Sequence, residues 1–557
     1  MYNGFQKTLP DNAHSRKLLK NVRREAEKLY DCEITALPYT KMVIYEKTGS
    51  RPEYEKEYDL HRKMLCAFSL MAMSETDEKW INKLCDVIWA ICDEFTWALP
   101  AHFYAGFRPI KENKAEEKIT VIDLFCAETG IAFSEILHIL GDRLPDLVKD
   151  RMVYEIERRI INPYLEKEQR FGSSNWSAVC GCGVGSVLIY LGKDAEFERV
   201  KDRLMQNMQD FLDSNADDGC CMEGSLYWAY GFGYFCYFAE LLYQYTNGEI
   251  NLFTQEKVKK LAYFGQNMFL KDNYVVPFSD SPHTLGYETG LWMLLSDKYD
   301  GIIIPPSEYE YQFGESARYR LTEQLRNIFW YRDKEQTTKE KQLVVYENAG
   351  WYINCKNDYI VAAKAGHNDE PHNHNDIGCF VLFDDGEYIL DDVGWAEYDK
   401  EYFTENRYNN MCASSLGHGV PVVNGCAQKS GAERCGKILT ASDNSFSVEF
   451  SKAYDIEAVE SLKREITLES DGILIHDVVF GKGVSFKERF ITRICPEITT
   501  DGVKISNYVL GCKEECRISV SEFYFTPRFM QEKETAYIIE LEQNNGTEFN
   551  VYVKNQS

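Results

Sequence analysis

A short polar run from Gly366 to Asp376 concentrates side chains that could do chemistry. It holds three histidines, His367, His372 and His374, together with three acids. Imidazole changes its charge near neutral pH, and it is the commonest metal ligand among protein side chains. The run therefore points to a metal site, a proton-transfer site, or both side by side.

The residues after this run predict the element that carries it. An apolar segment, 379–383, leads to the turn Asp384-Asp385-Gly386 and then to a second alternating segment. This pattern predicts two β-strands joined by a hairpin. Side chains two apart on a strand share a face. If the run enters the strand at His372, we expect His372 and His374 to point the same way.

Histidine-rich loops are often solvated turns or hydrogen-bonded structural histidines, and a single histidine would favour that interpretation. Here three further potential ligands fall in the same segment with strand-like spacing: Asp376, Asp392 and His418. This combination favours a functional cluster.

Composition argues against several classes of protein. The chain has 62 Lys+Arg against 88 Asp+Glu, a net charge of −26, which disfavours a nucleic-acid or anionic-membrane surface. No apolar run is long enough to cross a bilayer, and residues 1–7 lack the apolar core of a signal peptide. The 18 cysteines show no disulfide or zinc-ribbon spacing, so we interpret them mostly as free thiols in a reducing compartment. We expect a cytoplasmic protein, or a secreted or periplasmic one if a leader has been trimmed.

The length of 557 residues predicts more than one domain. Residues 1–325 have helical periodicity, for example over 58–74 and 77–95, which we predict to be consecutive antiparallel helices. Beyond this point, β-branched and aromatic residues alternate with polar ones between turns such as Asp-Gly and Asn-Gly. We predict a helical toroid or solenoid over residues 1–325 and antiparallel stacked sheets over residues 326–557.

Three motifs in the helical part also carry chemistry. Asn175 precedes a helical run, where it is either an N-cap or a substrate-binding amide. On a regular helix, Tyr227, Tyr230 and Tyr234 form a stripe, which is more often core than catalytic, although buried hydroxyls need partners. His102 follows a proline break, where a lone histidine is more often structural.

Together these motifs resemble those of the heparinase II/III-like polysaccharide lyases, and they look closest to the lyases that act broadly on glycosaminoglycans. The matching blocks are WALPAH (97–102), SNW (174–176), MEGS (222–225) with Tyr227, HNDEPHNHND (367–376), LDDVG (390–394), NRY (406–408) and HGVPVVNG (418–425). The resemblance implies an N-terminal (α/α) toroid followed by C-terminal antiparallel β-sandwich-like sheets, which agrees with the prediction from periodicity.

The resemblance also implies β-elimination at a uronic acid, in which the C5 proton is removed and the C4–O bond breaks. Such a lyase needs a group that neutralises the uronate carboxylate, a base, and an acid for the leaving oxygen. By match to the family, Asn175 would bind the carboxylate and Tyr227 would transfer a proton. His372 would be the partner of Tyr227, as a base or as a stabiliser of the phenolate. Tyr230 is the alternative to Tyr227, because sequence does not set the helix phase.

The roles of Tyr227 and His372 depend on the charge near the phenol and on which face of the sugar ring each residue approaches. A phenol with a pKa of about 10 needs a nearby positive charge to act as a base. If both uronate epimers are substrates, Tyr227 and His372 could share the base role from opposite faces of the sugar ring.

The family carries a metal ion in its β domain, and its ligand positions match His374, Asp392 and His418. Two histidines and an aspartate suit zinc, with manganese as an alternative. The implied role of the metal is to hold the loop around His372, rather than to activate water. The chain departs from many relatives at Gly419, where they have asparagine beside the ligand.

Further substrate contacts are implied for His102, Tyr230, His367 and Arg407. Arg407 could offer a bidentate fork to a carboxylate or sulfate, or it could form a structural ion pair.

The acidic net charge disfavours highly sulfated substrates, although screening within about 8–10 Å softens the repulsion. We expect short oligosaccharides or weakly charged chains as substrates. Basic residues that could line a local path for an acidic polysaccharide are Lys111, Lys114, Arg170, Lys364 and Arg407.

Two alternatives remain open. An (α/α)-toroid glycoside hydrolase would use paired carboxylates, for which Glu223 with Asp217 or Asp218 are the candidates. A non-catalytic carbohydrate-binding protein would keep the metal for structure alone. Neither the oligomeric state nor the polysaccharide is predicted.

Overall fold

A computed structural model describes residues 6–103, 114–167, 169–314, 318–334, 342–355, 358–528, 530, 532–544 and 546–556. The chain forms two compact units. The helical unit comprises Met1–Asn215, Trp228–Ala262 and Gly286–Thr337. The strand unit comprises Ala216–Tyr227, Tyr263–Leu285 and Thr338–Ser557.

This division is more interleaved than the single boundary predicted between residues 325 and 326. Near that point the chain does change from helix to strand, since a helix ends at Phe329 and the next strand begins at Leu343. However, two short segments that precede the boundary, 216–227 and 263–285, pack with the strands.

Helices dominate the first part of the chain. In chain order, the α-helices are Ala13–Leu29, Tyr39–Met42, Ile44–Thr48, Pro52–Ser74, Glu78–Asp93, Ala115–Ile119, Leu124–Leu140, Asp146–Ile156, Asn162–Glu166, Asn175–Tyr190, Asp194–Asp213, Ser225–Tyr227, Gly233–Tyr245, Glu256–Met268, Thr289–Lys298 and Leu321–Phe329. Five-residue π-helical turns occur at Glu157–Ile161 and Trp228–Phe232. The predicted pair at 58–74 and 77–95 is confirmed as Pro52–Ser74 and Glu78–Asp93.

The helix Asn175–Tyr190 lies in the core of the helical unit and is buried along almost its whole length. Small residues permit this close packing. A Cβ atom at Gly183 would overlap Ala127, and one at Gly185 would overlap the ring of Phe238. The N-terminal end of this helix, where Asn175 lies, is therefore anchored by packing on several sides.

Every strand in the described residues lies in the strand unit. They are β1 Phe269–Lys271, β2 Tyr274–Val275, β3 Leu343–Tyr346, β4 Trp351–Asn354, β5 Ile360–Lys364, β6 His367–Asn368, β7 Phe380–Asp384, β8 Glu387–Leu390, β9 Val422–Val423, β10 Gly431–Cys435, β11 Lys437–Ala441, β12 Ser445–Glu449, β13 Val459–Glu469, β14 Gly472–Gly481, β15 Phe486–Thr492, β16 Glu497–Thr499, β17 Gly502–Ile505, β18 Tyr508–Cys512, β19 Arg517–Phe525, β20 Glu534–Glu542 and β21 Glu548–Asn555.

These strands pair antiparallel in several sheets. The larger ones have the orders β3-β4-β5-β7-β8, β11-β12-β13-β14-β21-β18-β17-β16 and β19-β20-β15-β9. Burial alternates along β13, as expected for a strand with one face on the core. Val361 of the first sheet, Ile466 of the second and Phe490 of the third belong to one apolar cluster. The sheets therefore stack on a shared core, as predicted.

The hairpin predicted at Asp384-Asp385-Gly386 is confirmed between β7 and β8. Asp385 and Gly386 both have positive φ, +42° and +90°, as a tight two-residue turn requires. The prediction that His372 and His374 share a strand face is wrong, because residues 371–379 form turns and loop ahead of β7. Proline at position 371 and clustered Asn and Asp side chains favour such a loop over a ladder.

All 18 cysteines lie in the described part of the chain and none forms a disulfide, as predicted. Among the helices of the described residues, none combines the length and apolar character that a bilayer span needs.

Arg464 ties together the two loops that carry the histidines. Its guanidinium is fully buried, and Nη2 lies 2.6 Å from Asp477 and 2.9 Å from Glu488. Nη1 donates to the carbonyls of Gly378 (2.8 Å) and Gly419 (2.6 Å). Gly378 lies two residues after the polar run and Gly419 follows His418, so this one side chain anchors both loops to the sheet.

We predict that Arg464→Ala lowers the free energy of unfolding of the strand unit by about 3–5 kcal/mol, because two carboxylates would stay buried without their cation. Thermal and urea unfolding followed by circular dichroism measure this change. Lys487→Ala is the matched control, since its ion pair with Glu542 is exposed and is worth at most about 1 kcal/mol. Equal losses in the two variants would contradict the prediction.

Candidate active site

The carboxylate of Asp280 lies fully buried at the centre of the candidate site in the strand unit. Its Oδ2 accepts from Nδ1 of His372 (2.6 Å) and from the hydroxyl of Tyr398 (2.5 Å). Its Oδ1 accepts from Nε2 of His374 (3.0 Å) and from the hydroxyl of Tyr402 (2.6 Å). An ionised carboxylate can only accept, so each imidazole contributes an N–H. The two histidines thus converge through Asp280, and not through a shared strand face.

Arg407 completes this network and is not available as a fork for a ligand. Its Nη2 lies 3.3 and 3.4 Å from the two oxygens of Asp280, and its Nε donates to the carbonyl of Asn373 (2.8 Å). The guanidinium also stacks on Tyr402 at 4.1 Å. Burial opposes the ionisation of Asp280, but the Arg407 cation and the donors on His372 and His374 hold its pKa well below the usual value. The geometry favours the structural ion pair over the predicted substrate contact.

Tyr227 and His372 form the pair that the motifs predict. Their rings stack with centroids 4.0 Å apart and planes 23° apart. The Tyr227 hydroxyl lies 3.0 Å from that of Tyr398. Burial raises the pKa of Tyr227 to about 12, although the nearby Arg528 cation acts in the opposite direction. Tyr227 is therefore protonated at neutral pH.

The backbone of His372 is in the left-handed region, with φ +59°. This conformation costs energy for a residue with a side chain, and such outliers cluster at functional sites. In the neutral ring, donation from Nδ1 to Asp280 places the lone pair on Nε2. Nε2 lies 3.5 Å from an oxygen of Glu223. The imidazole is thus held between two acids, with its basic nitrogen on the side away from Asp280.

Tyr230, the alternative to Tyr227, belongs to the helical unit and is engaged there. Its hydroxyl donates to Glu128, and the guanidinium of Arg320 lies 4.2 Å from its ring centroid. The predicted stripe of Tyr227, Tyr230 and Tyr234 assumed a regular α-helix. The π-helical turn Trp228–Phe232 inserts between the first tyrosine and the helix that follows, and so breaks that spacing.

Asn175 and His102 also lie in the helical unit. The N-cap of the helix is Ser174, whose side chain accepts from the amide of Trp176, so the capping role considered for Asn175 is taken by its neighbour. His102 Nδ1 lies 2.8 Å from the buried carboxylate of Asp123, and its ring is 5.0 Å from that of Trp176. Burial lowers the pKa of His102 despite this acid. The Asp123 contact leaves Nε2 as the basic nitrogen of a neutral ring.

The predicted metal ligands come together with one further acid. Potential ligand atoms of His374, Asp376, Asp392 and His418 all lie within 4.8 Å of one another, and all four residues are buried. Nε2 of His418 donates to the carbonyl of Cys412 (2.9 Å), just as Nε2 of His374 donates to Asp280. Nδ1 of each ring therefore faces the cluster, an arrangement typical of metal-binding histidines. Burial opposes the protonation of His418, but the Asp392 carboxylate raises its pKa well above the usual value, so an ion bound there would take the place of the His418 proton.

The hydrogen bonds that the cluster makes leave ligand atoms available for a metal ion. Nδ1 of His374 is buried and makes no hydrogen bond among the described residues. Nδ1 of His418 and Oδ2 of Asp392 are also buried, and their one described polar contact is with each other, at 3.2 Å. Buried polar atoms without hydrogen bonds are rare and call for an explanation. Asp376 differs, because its carboxylate lies 2.8 Å from the buried ammonium of Lys364. The residues present therefore fit one divalent ion on His374, Asp392 and His418, with Asp376 as a possible fourth ligand.

Several weaker candidates lie elsewhere. His367 is in β6, and its Nδ1 accepts from the amide of Asp369 (3.3 Å). In the expected basic path, Lys364 and Arg407 are buried against acids, and Lys111 lies outside the described residues. Arg170 is exposed and paired with an aspartate.

Sequence reasoning missed Asp280, Tyr398, Tyr402 and Arg528. Asp280 lies 92 residues from His372 in the chain, in a Ser-Asp-Ser segment that has no distinctive motif. Arg528 follows β19 and lies 3.5 Å from the ring centroid of Tyr398. Local spacing contains no signal for such contacts.

The fold is similar to that of solved glycosaminoglycan lyases. Heparinase III matches with a TM-score of 0.65 at 13% identity, over 100% of this chain and 94% of that chain. Heparan sulfate lyase HepC from Pedobacter heparinus matches with a TM-score of 0.56 at 13% identity, over 97% and 88%. A chondroitin AC lyase from Streptomyces coelicolor A3, in complex with chondroitin sulphate, matches with a TM-score of 0.57 at 9% identity, over 100% and 82%.

No family model and no curated protein matches the sequence, so the similarity is one of structure. The resemblance seen in the motifs is confirmed at that level: this chain has the fold of the heparinase and chondroitin lyase structures.

Proposed function

We propose that this protein is a polysaccharide lyase that cleaves uronic-acid-containing glycosaminoglycans by β-elimination, releasing 4,5-unsaturated oligosaccharides. Candidate substrates are hyaluronan, chondroitin or dermatan sulfate, and heparan sulfate. The observation that carries the proposal is the stacked pair of Tyr227 and His372, with His372 oriented by Asp280. The likeness to solved lyases supports it, and also supports an (α/α) toroid as the architecture of the helical unit.

The geometry divides the two proton transfers between the stacked residues. Nε2 of His372 has the lone pair and would take the C5 proton. Tyr227, protonated at neutral pH, would donate its proton to the leaving O4 as the C4–O bond breaks. This leaves a phenolate beside an imidazolium, and the two opposite charges stabilise each other at the 4.0 Å distance between the stacked rings. Solvent exchange then returns the proton from His372 to Tyr227.

The carboxylate of the uronate must be neutralised before C5–H becomes acidic. The family resemblance gives this role to Asn175, whose amide donates a hydrogen bond without carrying a charge. The net charge of −26 favours short or weakly sulfated acidic oligosaccharides, since the chain as a whole repels polyanions.

We also propose one divalent metal ion, zinc or alternatively manganese, on His374, Asp392 and His418. Bound there, the ion would cross-link the loop that carries His372 to the loop after β8 and to residue 418. The role of these residues toward catalysis is to hold that loop.

The first prediction is that elimination produces an absorbing double bond. Incubation with hyaluronan, chondroitin sulfate, dermatan sulfate, heparan sulfate or alginate should raise ultraviolet absorbance, because the C4=C5 bond is conjugated with the carboxylate. We expect faster turnover of hyaluronan or chondroitin than of heparin. New reducing ends without absorbance would instead indicate a hydrolase.

The second prediction separates the two candidate tyrosines. Tyr227→Phe keeps the ring stacked on His372 but removes the acidic proton, so kcat should fall by about 10²–10⁴-fold with KM within a few-fold. Tyr230→Phe is the matched control, because the hydroxyl it loses is bound to Glu128. Steady-state kinetics by absorbance measure both, and a larger kcat loss in Tyr230→Phe would reverse the assignment.

The third prediction concerns the metal. The purified protein should bind one equivalent of zinc, and His418→Ala should weaken binding by more than the roughly 10–100-fold typical of residues outside the ligand set. Equilibrium dialysis with elemental analysis measures it. His476→Ala is the control, because His476 is an exposed histidine paired with Glu548. Unchanged zinc binding in His418→Ala would rule out this ligand set.

The alternatives gain less support. For a hydrolase, Asp218 is already engaged, since it accepts from the backbone amides of Cys220 and Asn348. A carbohydrate-binding protein would not need the strained His372. A cytoplasmic location stays a prediction from the sequence.

A further inference from the structure

We propose that Asp280 is a positioning residue that couples the metal-ligand cluster to the imidazole of His372. Binding of an ion at His374 then changes the orientation of His372, and a change at His372 alters ion binding. This inference rests on the proposed function for the role of His372, and on the proposed ligand set for the role of His374.

The coupling is direct, because one rigid carboxylate joins the two histidines. Oδ2 holds Nδ1 of His372 and Oδ1 holds Nε2 of His374, at 2.6 and 3.0 Å. A carboxylate is planar, so its two oxygens cannot move independently. Any rotation that follows His374 as it engages an ion also moves the acceptor of His372.

The remaining contacts leave Asp280 no other acceptor sites. The hydroxyls of Tyr398 and Tyr402 occupy one oxygen each, and Arg407 approaches both. A carboxylate offers about four lone-pair sites, and all are used. Neither histidine can change its hydrogen bond without displacing another donor.

The backbone that carries Asp280 is equally constrained. Ser279 has φ +61°, and its hydroxyl donates to the carbonyl of Met222 (2.8 Å). A Cβ at Gly224 would overlap the carbonyl of Phe278, and one at Gly394 would overlap that of Ser281. Non-glycine residues hold such a φ only where the surroundings enforce it. Two other chain segments, 222–224 and the one at Gly394, thus hold the turn in place, which fixes the backbone of Asp280.

The chemical consequence is a choice of tautomer at two sites at once. Donation from Nδ1 leaves Nε2 of His372 as the base. Donation from Nε2 leaves Nδ1 of His374 as the metal-facing lone pair. An asparagine at position 280 has one acceptor oxygen and one donor NH₂ group, so it can satisfy only one of these two tautomers.

The test compares wild type with Asp280→Asn. In metal-free protein labelled with ¹⁵N-histidine, long-range ¹H–¹⁵N spectra should show Nδ1–H for His372 and Nε2–H for His374. Adding zinc alone should shift the His372 signals in wild type and at most half as far in the variant. Zinc affinity, measured against a chromophoric chelator, should fall about 10–100-fold.

Turnover provides an independent readout. In Asp280→Asn, kcat should fall by about 10²-fold or more, as when the orienting acid of a catalytic histidine is replaced by its amide. KM should stay within about 3-fold. A purely structural loss would instead lower the amount of folded enzyme and leave its kcat unchanged. Tyr508→Phe removes a partly buried tyrosine–aspartate hydrogen bond elsewhere in the strand unit (2.8 Å to Asp384), and should leave both zinc affinity and kcat unchanged.

Two milder variants decide the question if Asp280→Asn does not fold. Tyr402→Phe removes a donor from Oδ1, and the described contacts of Tyr402 do not include Tyr227 or His372. Tyr398→Phe removes a donor from Oδ2, and its described contacts include no candidate metal ligand. Coupling predicts that Tyr402→Phe still lowers kcat by at least about 3-fold at saturating zinc, and that Tyr398→Phe still weakens zinc binding by at least about 3-fold.

The proposal is overturned if each tyrosine variant affects only its own side, or if folded Asp280→Asn keeps wild-type zinc affinity and kcat. Absence of lyase turnover in wild type would instead refute the proposed function. The zinc affinities and histidine spectra would then still show whether Asp280 joins the two histidines.

Discussion

Burial of a carboxylate without water costs several kcal/mol unless its charge and its lone pairs are matched. Asp280 meets this requirement with one guanidinium, two imidazoles and two phenols, and these are the side chains on which the candidate chemistry depends. Removal of any donor leaves an acceptor unpaired in a region that water does not reach. The same interaction therefore stabilises the strand unit locally and fixes the orientation of His372.

A second buried charge cluster holds the loops around this network. Arg464 donates to Asp477 and Glu488 inside the sheet, and its Nη1 donates to the carbonyls of Gly378 and Gly419. The strands thus provide a rigid base, and each of the two histidine loops is attached to it by a hydrogen bond from the Arg464 guanidinium. Such support is needed because a displacement of about 1 Å at reacting groups can cost about 10²-fold in rate.

The division of acid and base roles follows from burial and hydrogen bonding. Desolvation keeps Tyr227 protonated, with a pKa of about 12, and the bond to Asp280 directs the lone pair of His372 to Nε2. Arg528, stacked on Tyr398, supplies positive charge near the phenol. Tyr227 and His372 thus have opposite roles while their rings lie in contact. The role of each is determined by its surroundings as well as by its residue type.

The resemblance of its motifs to a lyase family singled out Tyr227 and His372 as a candidate pair. The sequence by itself also determined the elements that depend on local pattern: the helical first part, the hairpin after residue 379 and the stacked antiparallel sheets. Periodicity and turn chemistry act between near neighbours, so they are legible without a structure. Only the tertiary structure decided that Tyr227 rather than Tyr230 stacks on His372, that Arg407 forms a structural ion pair, and that Asp280 joins both histidines. A π-helical turn altered the tyrosine spacing. Asp280 meets His372 across 92 residues, and such contacts depend on how loops pack, a long-range outcome that no short stretch of sequence encodes.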